Sequence, residues 1–368
     1  MSSISRAFTP TNISKGIKLL RKKGLKAVLK KVKSKINSPN KMYGAWYESH
    51  KVTSDELDRQ RKVKLEYEPL ISVIVPVYNP PVVFVKELVE SMLSQSYSNW
   101  ELCLADGGGD LEDGGSALAE LLTGYAKRDS RIKYKKLPVN MGISGNTNAA
   151  YEMATGEYIG LLDHDDMLSA DCLYEIVAAL NVNRYDIIYT DEDKITNDSA
   201  VHSDPQFKPD FSIDFLRTHN YITHFFVVSR DICEKIPSPL FRSAYDGAQD
   251  YDFILRCIEQ TQSIHHIPKI LYHWRVSDVS TAGDPYTKSY ADEAGLKALE
   301  AHIKRCGLKA KVEHTDMNNI YKVCYDVTGN PLVSIIIANK DHIEDLDRCI
   351  KSIFEKSIYK NYEIIIVE

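Results

Sequence analysis

The chain has 368 residues, 43% of them hydrophobic and 26% charged, which is ordinary for a globular protein that can hold more than one domain. No run approaches the about 18 apolar residues of a membrane span, which argues against an integral membrane protein. The seven cysteines are scattered singly, which argues against a disulfide framework or a zinc site and suits a reducing cytoplasm.

The net charge of −5 conceals an asymmetry along the chain. Residues 1–54 contain 13 Lys and Arg against one acidic residue, Glu48, whereas the remainder contains 33 basic and 50 acidic residues. Within this arm, residues 13–36 are predicted to form a basic amphipathic helix. Such a helix favours an anionic membrane surface, at about 1 kcal/mol per cation. A helix packed on the body is the alternative, and we expect no nucleic-acid partner.

From residue 69 onward, strand patterns alternate with helix patterns. Strands are predicted at Ile71–Val77, Glu101–Ala105, Ile132–Leu137, Tyr158–Leu162 and Asp186–Thr190, and helices near 82–95, 116–128, 143–154 and 169–181. This alternation predicts an α/β fold with a mostly parallel sheet covered by helices on both faces. The proline-containing segment 205–300 is less regular, and we expect it to build a mixed region over the ligand edge of the sheet.

The chain also repeats itself. "PLISVIV" at 69–75 returns as "PLVSIII" at 331–337, and "SNWELCLAD" at 98–106 returns as "KNYEIIIVE" at 360–368. A repeat with so long a period indicates a duplicated domain. We therefore expect four segments: a basic helix with its connector at 1–68, a main domain at 69–305, a linker at 306–330, and the truncated start of a second domain at 331–368.

The strongest chemical signal is "GEYIGLLDHDDMLS" at 156–169. Its apolar strand stops at three carboxylates, Asp163, Asp165 and Asp166, and the carboxyl ends of strands are where α/β sheets bind ligands. Mg²⁺ and Mn²⁺ prefer carboxylate oxygen and commonly bridge it to substrate phosphates. The motif therefore predicts a metal-held diphosphate and an enzyme that uses a nucleotide-linked substrate.

Three segments place further candidates at the same edge. "SVIVPVYNPP" ends in Pro76 and Tyr78, and "LCLADGGGD" ends in Asp106, which could accept a hydrogen bond from a pyrimidine. "NMGISGNTNAA" places Asn140 and Gly142 at a helix start that suits phosphate, with a simple capped helix as the alternative.

"YDGAQDYDFILRCIE" opens a helix with Asp250 in its first turn. A carboxylate placed there could act as a general base, whereas helix capping is the alternative role and Asp246 and Asp252 compete for both.

"LYHWRVSDVSTA" places His273 and Arg275 together, the first suited to a metal and the second to phosphate. A structural role is the alternative for both side chains. "YTDEDK" at 189–194 is a rival acidic cluster, for which we expect a solvated turn.

Taken in order, these motifs resemble those of family 2 glycosyltransferases with the GT-A fold, a Rossmann-like α/β architecture. The resemblance covers about residues 69–300 and rests on "SVIVPVYN", "LADGGG", "LLDHDD", "GAQDYDFILR" and "LYHWR". The basic arm followed by a Tyr-x-x-Trp element also resembles bacterial transferases that build surface polysaccharides, including O-antigen.

The resemblance implies roles for the reacting edge. Asp163 and Asp165 match the D-x-D element, which binds Mn²⁺ or Mg²⁺ together with the ribose and diphosphate of the nucleotide sugar. His273 matches a further metal ligand, and Asp250 matches the catalytic base.

The resemblance also implies that Asp106 contacts the nucleobase and that Pro76 and Tyr78 flank it. Two departures stand out: the usual acidic neighbour of the base is Gln249, and the usual second Asp after Asp106 is Gly107.

The implied reaction is inverting transfer from a UDP- or dTDP-linked sugar to a hydroxyl of a growing, lipid-linked surface glycan. The expected location is cytoplasmic, on the inner face of a bacterial plasma membrane. A sugar-nucleotide nucleotidyltransferase is one alternative, although "PVYNPPVV" lacks its basic, glycine-rich loop. A catalytically inactive nucleotide-binding scaffold is the other, and retention of both Asp163 and Asp250 argues against it.

Overall fold

The computed structural model describes residues 39–109, 115–276 and 285–368, and the expected basic helix at 13–36 lies outside these ranges. The chain forms two compact units, with the division between Val323 and Cys324. The first unit contains a nine-stranded sheet, and the second is built around a two-stranded sheet.

The connector before the sheet is helical. Helix α1 spans Pro39–His50 and helix α2 spans Ser54–Gln60. Thr53 caps α2, because its side chain accepts a hydrogen bond from the amide of Glu56 at 3.2 Å. Tyr43 of α1 is buried against the body.

The parallel half of the sheet follows the sequence expectation. Its order is β3-β2-β1-β4, and every pairing in it is parallel. The two central strands β1 and β2 are buried along their whole length, which is why they read as near-continuous apolar runs. The elements are β1 Ile71–Val77, α3 Val82–Leu93, β2 Trp100–Asp106, α4 Gly115–Arg128, β3 Ile132–Lys136, α5 Gly142–Tyr151 and β4 Tyr158–Leu161.

The second half of the sheet mixes directions. Strand β8 runs antiparallel between β4 and β6, β9 runs parallel to β6, and β5 and β7 add antiparallel pairings. The elements are β5 Met167–Leu168, α6 Cys172–Val182, β6 Ile187–Ile195, β7 His202–Gln206, α7 Ile213–Leu216, β8 Phe226–Ser229, α8 Arg230–Lys235, α9 Gln249–Ile258 and β9 Ile264–Arg275. The α/β fold class is confirmed.

One local expectation is wrong. The acidic segment 189–194 is not a solvated turn but the interior of β6, where Asp191, Glu192 and Asp193 are buried. The hydrophobic core lies on both faces of the sheet, because successive β1 side chains alternate between two apolar clusters: Ile74 packs in one, and Val73 and Val75 in the other.

The segment expected to be a linker, 306–330, contains two strands. Helix α10 spans Pro285–Arg305, and strands β10 Ala310–His314 and β11 Tyr321–Tyr325 pair with each other. Val312 and Tyr321 are buried in the core of the first unit, so residues 306–323 belong to that unit.

The second unit has the β-α-β order that the repeat suggests. Strand β12 Val333–Ala338, helix α11 Ile343–Lys356 and strand β13 Tyr362–Val367 follow one another, with the two strands parallel. Across the described ranges of both units, none of the helices combines the length and apolar character needed to cross a bilayer.

Candidate active site

Three aspartates follow strand β4 at its carboxyl end, and their exposure separates their roles. Asp163 is 53% exposed and Asp165 is partly buried, whereas Asp166 is fully buried. Asp166 accepts hydrogen bonds from the Tyr272 hydroxyl and, at 2.7 Å, from the Arg275 amide. Asp166 therefore holds the loop in place, and Asp163 and Asp165 remain open to a ligand.

A histidine that the sequence did not single out lies beside Asp163. His224 Nε2 is 3.6 Å from Asp163 Oδ2, and His224 Nδ1 is 3.3 Å from Glu192 Oε2. Burial alone would lower the pKa of His224, but the two carboxylates raise it to about 10. The two carboxylates therefore favour the protonated form of His224, next to the expected diphosphate site. The segment "NYITHFF" carries no pattern that would have marked it.

His273 is not brought to the same place. The parallel register pairs Glu192 with Tyr272 and Asp193 with His273, and successive strand side chains face opposite sides of a sheet. Tyr272 stacks on His224, with ring centroids 4.6 Å apart, whereas His273 Nδ1 lies 2.6 Å from Asp193 Oδ1. The expectation that His273 joins the D-x-D aspartates is corrected, because the alternation along β9 turns it to the other face.

Arg275 also differs from its expected role. Its side chain is 0% exposed, and its guanidinium donates to the Asp165 carbonyl at 2.6 Å, to Glu87 Oε2 at 2.7 Å and to Ser199 Oγ at 2.8 Å. An arginine enclosed in this way cannot reach a phosphate without breaking these bonds. We therefore correct the expectation that Arg275 binds phosphate. Its role is to hold in place the loop that carries Asp163, Asp165 and Asp166, which we call the acidic loop.

The expected base, Asp250, lies in the first turn of helix α9 and is partly buried. Phe253 and Ile254 of the same helix pack in the core, so the helix is anchored by its apolar face. Asn220 Nδ2 donates to Asp250 Oδ2 at 3.0 Å. Burial raises the pKa of the Asp250 carboxyl, which suits a group that must take up a proton.

The two competing aspartates of this segment have other partners. Asp252 is fully buried and bound by Arg242 Nε at 3.0 Å and Arg256 Nη2 at 2.9 Å. Asp246 accepts a hydrogen bond from Ser144 Oγ at 2.5 Å. Asp252 is thereby excluded as an accessible base, and Asp246 ties the segment to helix α5.

Asp106 ends strand β2 at the expected edge but is only 1% exposed. It accepts hydrogen bonds from the Tyr134 hydroxyl at 2.9 Å, the Lys136 ammonium at 3.2 Å and the Gly108 amide at 2.8 Å. A carboxylate offers about four lone-pair sites, so a further donor can still be accommodated once a ligand reaches it.

Pro76 and Tyr78 lie beside Asp106, since the β1–β2 register sets Val77 opposite it. The Pro76 carbonyl oxygen lies 3.1 Å from His164 Nδ1, which joins β1 to the acidic loop. The Tyr78 side chain is half-exposed and follows the strand directly.

The glycine-rich segment before helix α5 is organised by Asn146. Asn146 donates to Asn140 Oδ1 at 3.0 Å and accepts from the Met141 amide at 3.1 Å, while the Gly142 amide also donates to Asn140 Oδ1 at 3.0 Å. Gly142 has φ +73°, a conformation that favours glycine. A Cβ at Gly107 would lie 2.5 Å from Asn146 Nδ2, which explains why no second Asp follows Asp106.

Comparison with known proteins identifies the family to which this part of the chain is related. Residues 72–237 match the model of glycosyl transferase family 2. The chain contains a family 2 glycosyltransferase domain. The matched residues include β1 from Ser72 onward, the acidic loop after β4 and His224.

Several known proteins are similar in sequence to most of this chain. Protein y4gI of Sinorhizobium fredii is 42% identical over 83% of the chain, the O-antigen biosynthesis protein RfbC of Myxococcus xanthus 34% over 88%, and hyaluronan synthase of Pasteurella multocida 26% over 82%. The chain spans only 33%, 25% and 27% of their respective lengths.

The glycosyltransferase fold is also seen in a solved structure. Residues 1–349 of Staphylococcus aureus TarS, in complex with UDP-GlcNAc, align with a TM-score of 0.51 at 16% identity. The alignment covers 63% of this chain and 66% of that one. At this identity the likeness concerns the fold.

Proposed function

We propose that this domain is an inverting, divalent-cation-dependent glycosyltransferase. It moves a sugar from a UDP- or dTDP-linked donor to a hydroxyl of a growing, lipid-linked surface polysaccharide. One observation carries the proposal: the carboxylates of Asp163, Asp165 and Asp250 are at least partly exposed, while their neighbours Asp166 and Asp252 are fully buried and bound by other side chains. The similarity to an O-antigen biosynthesis protein and to a hyaluronan synthase supports a role in polysaccharide synthesis.

The donor set at the acidic loop fits a hard divalent cation. Asp163 and Asp165 offer carboxylate oxygens, which Mg²⁺ and Mn²⁺ prefer. Burial raises the pKa of Asp165, and the negative charge of Asp163 raises it further, so a cation would relieve a real repulsion. When bound, it would neutralise charge that develops on the leaving nucleoside diphosphate.

The residues of the chain supply the rest of the mechanism. Asp250 accepts the proton of the acceptor hydroxyl as that oxygen attacks the anomeric carbon and the bond to the diphosphate breaks. Asn220 holds the carboxylate in orientation through its 3.0 Å hydrogen bond. The His224 imidazolium adds a fixed positive charge at the diphosphate edge. A single displacement of this kind inverts the anomeric configuration.

The first experiment separates chemistry from binding. UDP-, dTDP- and GDP-sugars are screened with Mn²⁺ for thermal stabilisation, since about 100-fold excess over Kd adds about 2.7 kcal/mol to the folded state. The stabilising donor is then tested for transfer to glycan acceptors and for slow hydrolysis. Asp250→Asn should abolish transfer and retain stabilisation, whereas Asp165→Ala should lose both.

Other outcomes would redirect the proposal. Normal transfer by Asp250→Asn would show that the base is another group. Formation of a sugar nucleotide from a sugar phosphate and a nucleoside triphosphate would identify a nucleotidyltransferase. Stabilisation by nucleotide sugars without hydrolysis or transfer would favour an inactive scaffold.

Two further proposals concern the ends of the chain. The basic segment 13–36 binds the inner face of the plasma membrane, and replacing its lysines by glutamine should reduce co-flotation with anionic vesicles but not with neutral ones.

Residues 331–368 are a second copy of the start of the transferase domain, because both the sequence and the β-α-β order of 69–106 recur there.

A further inference from the structure

The sheet carries a second cluster of metal-ligating side chains, on its face away from the Tyr272–His224 stack. Asp193 of β6, His202 of β7 and His273 of β9 each contribute one atom, and these atoms lie within 4.8 Å of one another. Asp193 is fully buried, and His273 nearly so. We call these three residues the two-histidine cluster.

We propose that the two-histidine cluster binds one divalent transition-metal ion, Zn²⁺ by the chemistry of its ligands, separate from any cation at Asp163 and Asp165. Two imidazole nitrogens and one carboxylate oxygen form a common protein ligand set for Zn²⁺, with a position left for a fourth ligand. Mg²⁺ prefers ligands that are all oxygen, so Mg²⁺ would bind at Asp163 and Asp165 and Zn²⁺ at the two-histidine cluster.

The distances within the cluster are close to what such an ion needs. Asp193 Oδ1 is 2.6 Å from His273 Nδ1, and Asp193 Oδ2 is 2.7 Å from His202 Nδ1. Ligand atoms about 2.0 Å from a tetrahedral Zn²⁺ lie about 3.3 Å apart. Each histidine nitrogen would therefore move roughly 0.6 Å away from the Asp193 oxygen that it contacts.

Helix α1 already supplies the surrounding hydrogen bonds that metal sites use. The Tyr43 hydroxyl donates to Asp193 Oδ2 at 2.7 Å, and the Tyr47 hydroxyl lies 3.2 Å from His273 Nε2. Tyr47 also stacks on His202, with ring centroids 3.8 Å apart. Metal-bound histidines and carboxylates characteristically have such outer partners, which fix the tautomer and ring orientation. The ion would thus fasten α1 to the sheet.

A second His-containing group in the described residues lacks this character. Glu259 accepts three hydrogen bonds from Arg305. His302, which lies beside Glu259 and Cys306, accepts one from Arg217 Nε at 3.2 Å. Arg305 and Arg217 therefore already bind the Glu259 and His302 side chains. In the two-histidine cluster, by contrast, the ligands contact tyrosine hydroxyls and one another.

The competing arrangement is a hydrogen-bonded clamp without an ion, in which Asp193 accepts from Tyr43 and both histidines. Metal titration of the chelator-treated full chain distinguishes the two. We expect the protein to bind one Zn²⁺ that His202→Ala and His273→Ala abolish and that Asp165→Ala and His342→Ala retain. His342 is exposed and serves as the matched histidine control.

Two further measurements keep the result independent of misfolding. Co²⁺ should give the visible absorption of a tetrahedral site in the native chain and not in His202→Ala, while far-UV circular dichroism stays the same. Tyr43→Phe, which keeps all three ligands, should weaken Zn²⁺ binding about 10- to 100-fold. Retention of the full Zn²⁺ equivalent by both histidine variants, or no Zn²⁺ binding by the native chain beyond that lost in Asp165→Ala, would establish the ion-free clamp instead.

Discussion

The Asn220 side-chain amide donates a hydrogen bond to Asp250 Oδ2 at 3.0 Å, and the Asn220 amide oxygen is buried without a hydrogen-bond partner among the described residues. The donated bond favours the ionised form of the carboxylate, whereas burial favours the protonated form and raises its pKa. The unpartnered oxygen is free to accept from a hydroxyl that approaches the same carboxylate. If Asp250 is the base, as proposed, Asn220 would orient its carboxylate through this hydrogen bond.

Asn220→Ala should shift the pH profile of transfer. Removing the donor leaves the charged carboxylate less stabilised, so the pKa of Asp250 rises further. Because the base must be ionised, kcat/KM falls as the pH drops through this pKa, and the acid limb of the profile should move to higher pH. Asn197→Ala, at an exposed position, is the control. An unmoved acid limb would show that Asn220 does not act on the base.

The aspartates of the acidic loop should respond differently to substitution. Asp163→Asn should abolish Mn²⁺-dependent nucleotide binding at an unchanged Tm, because this half-exposed side chain does not hold the fold together. Asp166→Ala removes the acceptor for Tyr272 and the Arg275 amide, so it should lower the free energy of unfolding by about 1–3 kcal/mol. Calorimetry of nucleotide binding and urea unfolding measure the two effects. Equal loss of stability in both variants would contradict the division of roles.

Arg275→Met tests whether this arginine binds phosphate or holds the loop. Its enclosed guanidinium serves Glu87, Ser199 and the Asp165 carbonyl, so its removal should cost about 3–5 kcal/mol in urea unfolding. Arg61→Met, at a surface ion pair, should change stability by less than about 1 kcal/mol. A native unfolding free energy combined with a raised donor KM would restore the phosphate-binding role.

The sequence was sufficient for the parallel half of the sheet. Strand β1 occupies its predicted bounds, Ile71–Val77, because a strand buried on both faces must be apolar at every position. The same reasoning placed Asp163 at the carboxyl end of β4, since the chain turns polar where the buried strand ends. These features depend on local sequence alone.

The remaining features depend on distant partners. The acidic residues of β6 are tolerated in a buried strand because they have partners. Lys208 Nζ lies 3.2 Å from Glu192 Oε2, and His266 Nε2 lies 2.8 Å from Asp191 Oδ1. His273 could not be placed without the register between β6 and β9, because a shift of one residue exchanges the faces of a strand. Sequence spacing contains neither kind of information.

The close approach at Gly107 yields a final, matched pair of substitutions. A Cβ at this position would meet Asn146 at 2.5 Å, and Asn146 is nearly buried and hydrogen-bonded to Asn140 and the Met141 amide. Gly107→Ala should therefore lower the free energy of unfolding by about 1–3 kcal/mol, measured in urea, and weaken nucleotide binding as the loop before α5 shifts.

Gly109→Ala is the control for this pair, because a Cβ there meets no atom of the described residues within 4 Å. It should leave both quantities within about 0.5 kcal/mol of the native chain, as surface substitutions usually do. If Gly107→Ala unfolds at the same urea concentration as the native chain and binds nucleotide with native affinity, the Asn146 side chain can move aside without loss of stability. The absence of a second acidic residue after Asp106 would then need a cause other than space.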